Sequence, residues 1–216
     1  MKKILLINFF ILLSAISFSQ TGINASFLSS DFSNVESDIL PDSKVDIFNA
    51  GIMTGLFYSI RVNGKGIVLL PDIGYSFFDS KIDDKKYKLQ QISVGIPVKF
   101  YPFNLEGDCG CPDFSLRNKF FEKHFFLMLN NAVFYNFKSL TYGDKQYRDD
   151  YFSFIAGIGG GLTVPVSETV ILEPFISYNF GFNDKWSPEM LYGMRTDPKT
   201  IGFNEVEFGV RIGMRN

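Results

Sequence analysis

The sequence predicts an all-β fold, an eight-stranded antiparallel up-and-down transmembrane β-barrel. Three observations carry the expectation. A secretory leader opens the chain, apolar and polar residues alternate over most of the remaining length, and the polar half of that alternation mixes paired charges with glycines.

The leader is "MKKILLINFFILLSAISFSQ". Two lysines precede an apolar run from Ile4 to Leu13, and Ser17-Phe18-Ser19 supplies a small-x-small ending, which is the layout of a signal peptide cleaved before Gln20. The run is too short for a membrane anchor, which needs about 20 apolar residues. No cysteine lies at the cleavage point, which argues against a lipoprotein. Residues 1–19 are therefore expected to be the signal peptide and 20–216 one barrel domain. Losing Lys2 and Lys3 from 21 basic residues leaves 19 against 23 acidic ones, a net charge of -4. That balance offers no basic face for nucleic acid.

Eight strands succeed one another, at about 21–29, 49–62, 67–82, 89–103, 124–140, 150–166, 170–186 and 201–216. The second carries Arg61 on its polar face and ends at the tight turn "NGKG". The third carries Asp72. The fourth, "LQQISVGIPVKFYPF", sets Ile92, Val94, Ile96, Val98 and Phe100 on one face and Gln91, Ser93, Gly95, Pro97, Lys99 and Tyr101 on the other. Side chains on a strand alternate with period two, so one face is greasy and one polar. The fifth alternates except at Asn131, where a bulge beside Asn130 would restore the pattern. The sixth brings Gly157, Gly159 and Gly161 to the polar face and ends at the tight turn "SET". The seventh opposes Val170, Leu172, Pro174, Ile176, Tyr178, Phe180 and Phe182 to Glu173, Ser177, Asn179 and Asn183. The last opposes Val206, Phe208, Val210, Ile212 and Met214 to Glu205, Glu207, Arg211 and Arg215. Tight connections nearly alternate with longer ones such as "DDKKYK", "TYGDKQYRD" and "SPEMLYGMRTDPKT".

Alternation alone fits two objects. A lipocalin-like barrel turns its apolar face inward around a ligand, and a membrane barrel turns it outward to lipid. The polar face decides. Arg61, Lys99, Arg211 and Arg215 stand against Asp72, Glu173, Glu205 and Glu207, interleaved with glycines that leave room for long side chains across a narrow interior. This is expected to be a charge cluster filling the lumen, biased toward the short-turn end, where pairing avoids the cost of isolated buried charge. Aromatics make up 17% of the chain and gather near the long-loop ends, among them Tyr75, Phe77, Tyr87, Tyr135, Phe137, Tyr151, Phe152, Tyr178, Phe180 and Trp186. Such a girdle belongs at a lipid–water boundary. Pro71, Pro97, Pro165 and Pro174 are misfits, because proline breaks a ladder that a closed barrel cannot leave open. All four lie toward the short turns, at bulges or at a rim that water reaches.

The signal ending "SFSQ", the eight amphipathic strands, "GIPVKFYPF" and the closing "NEVEFGVRIGMRN" resemble the PorT-like outer-membrane β-barrel family of Bacteroidota. The resemblance covers essentially all of the mature chain through loose strand patterns, with no catalytic signature. It implies an eight-stranded barrel in the outer membrane, surrounded by outer-membrane lipid, and a link to the machinery that exports proteins across that membrane.

The connection "NLEGDCGCPDFSLRNKFFEKH" falls on the periplasmic side and holds both cysteines, Cys109 and Cys111, just before the only histidine, His124. A local periplasmic disulfide, a free or intermolecular pair, and a metal site using Asp108 and His124 are the open readings. "SLRNKFFEKHFF" reads either as a short amphipathic segment on the membrane surface or as the start of strand five. With one histidine and no nucleophile–base–orienter set, no catalytic residue, cofactor or metal is expected. The functional expectation is a non-enzymatic outer-membrane barrel acting through periplasmic or outer-membrane protein partners, supporting secretion or envelope assembly. A surface adhesin is the alternative, and a lipid-modifying enzyme the second.

Overall fold

The computed structural model describes residues 20–31, 50–62, 66–82, 85–103, 124–186 and 199–215. Its strands are β1 (Gln20–Asp31), β2 (Gly51–Val62), β3 (Ile67–Leu69), β4 (Asp72–Ile82), β5 (Lys85–Gly95), β6 (Val98–Phe100), β7 (Phe125–Tyr142), β8 (Lys145–Leu162), β9 (Val164–Pro165), β10 (Val170–Trp186) and β11 (Lys199–Arg215). β3, β6 and β9 continue the lines of β4, β5 and β8 past short breaks, so eight staves stand side by side in chain order. β1 pairs with both β2 and β11, which closes the ring. The leader and the cysteines Cys109 and Cys111 lie outside the described residues.

The alternation sorts as expected for a membrane barrel and opposite to a lipocalin. Along β10, Ile171, Glu173, Phe175, Ser177 and Asn179 are buried, while Pro174, Ile176, Tyr178 and Phe180 lie outside. Val94, Ile96, Phe208, Val210 and Ile212 also lie on the outer surface, whereas Lys99, Glu207 and Arg211 are buried. A wall this apolar is stable against hydrocarbon and would aggregate in water. The rings on it pair off: Tyr178 and Phe180 meet edge-on at 4.9 Å, and Tyr135 lies 4.7 Å from Phe137 and 4.9 Å from Phe152. Tyr87 and Tyr151 depart from the expected girdle, because their parity turns them inward and both are buried.

The prolines mark gaps in the ladder. Pro71 separates β3 from β4, and Pro97 separates β5 from β6. Pro165 lies in β9, beyond the break at Thr163, and Pro174 falls on β10 opposite that break, between the pairs Phe175–Gly161 and Leu172–Val164. Backbone groups freed there find partners across the gaps: Tyr58 N donates to Pro71 O (2.9 Å), Leu70 N to Pro97 O (2.8 Å) and Thr163 N to His124 O (2.8 Å). Asn131 completes the repair. It lies on the lipid side, donates from Nδ2 to Ile96 O (2.9 Å) and accepts from Ile96 N at Oδ1 (3.2 Å). In hydrocarbon those two Ile96 groups would have no other partner. The bulge expected beside Asn130 does not exist, since the register runs straight through Asn130–Gly157 and Asn131–Ala156.

Two connections expected to be long are tight hairpins. β4 and β5 pair out to Ile82 and Lys85, and β7 and β8 pair to Tyr142 and Lys145 around Gly143-Asp144. Gly143 has φ 55°, the left-handed conformation that two-residue hairpins require. The charges of Lys85, Lys86 and Lys88, and of Lys145, Arg148 and Asp149, belong to staves longer than a membrane crossing needs. β7 and β8 have 18 residues each, and a tilted strand crosses hydrocarbon in about 9–11. A one-residue bulge before Asp184 leaves Asn183 at φ 62°, with its Nδ2 donating to Phe152 O (3.0 Å).

Candidate functional site

The inside of the barrel gathers the chain's buried polar chemistry in layers. At the short-turn end, Lys99 of β6 and Glu173 of β10 form a buried ion pair, with Nζ 2.7 Å from Oε1 and 2.6 Å from Oε2. Thr163 donates to Glu173 Oε1 at 3.1 Å. Its only hydrogen is thereby used, so the Tyr101 hydroxyl, 3.0 Å away, donates to Thr163 Oγ1. The Lys99 ammonium also lies 4.9 Å from the Phe126 ring centre. Two apolar clusters, Phe57–Val68–Leu70 and Phe126–Met128–Phe175, flank the pair and share Tyr101. This end is sealed.

Arg211 stands next to that layer. Its guanidinium lies 4.1 Å from the Phe175 ring centre, and Nη1 reaches Met128 Sδ at 3.2 Å. Asp72 is within electrostatic reach of both Arg211 and Glu207, and Glu173 also feels Arg211. The Arg211 charge is thus shared between two carboxylates, Asp72 and Glu173, while Asp72 and Glu207 repel each other.

Further from the short turns, amide and hydroxyl chains run around the inner wall from stave to stave. Ser76 donates to Gln91 (2.6 Å), Gln91 to Asn136 (2.6 Å) and Asn136 to Ser153 (2.8 Å). On the other side Asn130 donates to Asn179 (3.0 Å), which donates to Glu205 (3.3 Å), and Ser30 donates to the same carboxylate (3.2 Å). Ser177 serves Glu207 at 3.1 Å. Buried Leu28, Phe78 and Leu89 complete a single cross-strand row with Gly51. The lumen glycines are required by this filling: a Cβ at Gly157 would strike the Asn179 side chain, and one at Gly209 the Phe175 ring.

Of the charges placed in the lumen by sequence, Lys99, Glu173, Glu205, Glu207 and Arg211 are buried there, and Asp72 is partly buried. Arg61 is not part of the cluster. It has inward parity, but it pairs with Val68 beside the first short turn and is exposed, so water solvates it at the rim. The Arg215 side chain lies outside the described residues, as does Asp108. His124 is buried and accepts from Thr163 through its backbone carbonyl. Several lumen residues went unnoticed in the sequence: Lys138, buried over the Tyr151 ring at 4.6 Å, Thr163, and the hydrogen-bond chain members Ser30, Ser76, Asn136 and Ser153. Lys138 shares parity with Phe134 and Asn136, so strict counting along β7 would have found it. Among the described residues no group of three His, Cys, Asp or Glu side chains is placed to hold a metal.

No protein-family pattern matches this sequence, and no curated protein matches it. Solved structures do. Ail, the attachment invasion locus protein of Yersinia pestis, superposes with a TM-score of 0.51 at 9% identity, over 93% of this chain and 99% of Ail. Ail in complex with the heparin analogue sucrose octasulfate gives 0.50 at 10% identity, over 92% and 97%. Neisserial surface protein A is also similar, at TM-score 0.46 and 15% identity over 90% and 96%. The chain is a transmembrane β-barrel. At these identities the likeness extends to the fold, which is that of small outer-membrane proteins.

Proposed function

We propose that the chain resides in the outer membrane and acts through protein partners, neither catalysing a reaction nor conducting solute. The observation that supports this is the filled lumen, from the Lys99–Glu173 layer to the Leu28–Phe78–Leu89 row. Eight strands leave an interior that side chains occupy, so the faces left for work are the rims and loops. Together with the PorT-like character of its strand sequences, this favours a role in protein secretion or envelope assembly. The hairpins that carry β4–β5 and β7–β8 past the membrane favour a second reading, a surface-interaction barrel, because they present paired strands to the exterior.

The test is affinity capture of the chain from detergent-solubilised outer membrane, with the bound proteins identified. Periplasmic secretion or assembly components support the first reading, and ligands captured through the outer hairpins support the second. Steady porin-like conductance in planar bilayers, or turnover of lipid by the purified barrel, would refute both.

A further inference from the structure

The lipid-facing wall has a hollow where the alternation predicts a side chain. Gly160 of β8 points outward, between Ile158 and Leu162 on the same face. Lumen glycines such as Gly157 and Gly209 have no room for a methyl group. Gly160 differs: a Cβ there would lie 3.1 Å from Phe126 O and 3.7 Å from the Phe125 ring, a misfit of a few tenths of an ångström. Packing inside the barrel therefore does not account for this glycine. Its effect is on the outside, where a groove of about 780 Å³ runs over Gly160 between Phe100, Leu127 and Leu129 on one side and Ile176 and Tyr178 on the other. That volume falls in the range of roughly 300–1,000 Å³ typical of small-molecule sites.

We propose that this groove binds one acyl chain of a glycerophospholipid as a site distinct from the surrounding fluid lipid. Its lining is apolar and continuous with the belt that already contacts hydrocarbon, so the occupant must itself be hydrocarbon. Its lower wall is built from β6 and the first residues of β7, which place it in the half of the membrane nearest the short turns. In an outer membrane that leaflet is phospholipid. This rests on the outer-membrane reading above. A concave wall touches the chain on several sides, where a convex stretch of belt touches it on one, so dispersion contacts hold it longer. The wall has a second apolar groove of about 830 Å³ over Ala25 and Thr54, to which the same reasoning applies, and Ile23 and Ile92 line neither.

The experiment reconstitutes the full chain in phosphatidylethanolamine vesicles containing a lipid with a photoactivatable diazirine in its acyl chain, then maps the adducts by mass spectrometry. Adducts at Leu127, Leu129 and Ile176 should exceed those at Ile23 and Ile92, which are comparably exposed, because a concave site holds the chain against them longer. Gly160→Leu should remove the excess, and Gly160→Ala should reduce it. Even labelling around the belt would overturn the groove, and the wild-type map decides this even if Gly160→Leu fails to fold. Absence of adducts on every strand would overturn the membrane reading instead.

Discussion

Two ion pairs, one at each end of the barrel, show how differently the ends are built. Lys99–Glu173 is buried, 2.6 Å long, shared among three strand lines and hemmed in by aromatic rings. Lys86–Asp79 joins neighbouring strands beyond the membrane, 3.6 Å apart, with its side chains 50% and 39% exposed. Around the first pair the staves are broken by proline and stitched by backbone bonds across the gaps and by the Asn131 side chain. Around the second they run unbroken into water. The sealed end fixes the barrel's interior, and the projecting end is held by strand pairing and a solvated charge pair.

The sharpest way to break that contrast is Glu173→Ala. Stranding the Lys99 ammonium should cost about 3–5 kcal/mol of unfolding free energy, measured by denaturant titration in lipid vesicles. Lys99→Met combined with Glu173→Leu should lose less than that single change, because no lone charge remains. If the double variant is the worse of the two, the pair is not held by charge compensation. Val210→Arg tests the outer face and should cost roughly 2–4 kcal/mol if it lies near the midplane.

Asn131→Leu makes the wall more apolar and should still destabilise, by about 1–3 kcal/mol, since Ile96 N–H and C=O lose their partners in hydrocarbon. A stabilised Asn131→Leu would show that water reaches the gap at Pro97. The smallest effect is expected at the projecting end: Lys86→Ala should change stability by at most about 1 kcal/mol, and less in high salt.

The facing of each strand was legible because one period governs it: once Ile96 points to lipid, Lys99 must point inward. The proline gaps were legible as gaps, since a missing N–H is visible in sequence. What repairs them was not. Asn131 meets Ile96 across 35 residues, and nothing local to either residue announces that meeting. Arg61 was misplaced because parity says which side a residue faces and not whether water reaches it. The tight connections after Ile82 and Tyr142 were misread as loops because the strands leading into them carry charges on both faces, which erases the alternation. The layered lumen was legible as a collection of charges, while its pairing depends on how far each strand is displaced around the ring.

Ring closure has a consequence for how the molecule is made. β1 bonds to β11 along its whole length, from Gln20–Arg215 to Asp31–Asn204. These two strands, far apart in the chain, must therefore meet before either edge is satisfied. Contacts so distant in sequence are slow to form, and until they form, two open strand edges can pair with other chains. A nascent barrel of this design is exposed to wrong partners for most of its assembly and protected only at the last step.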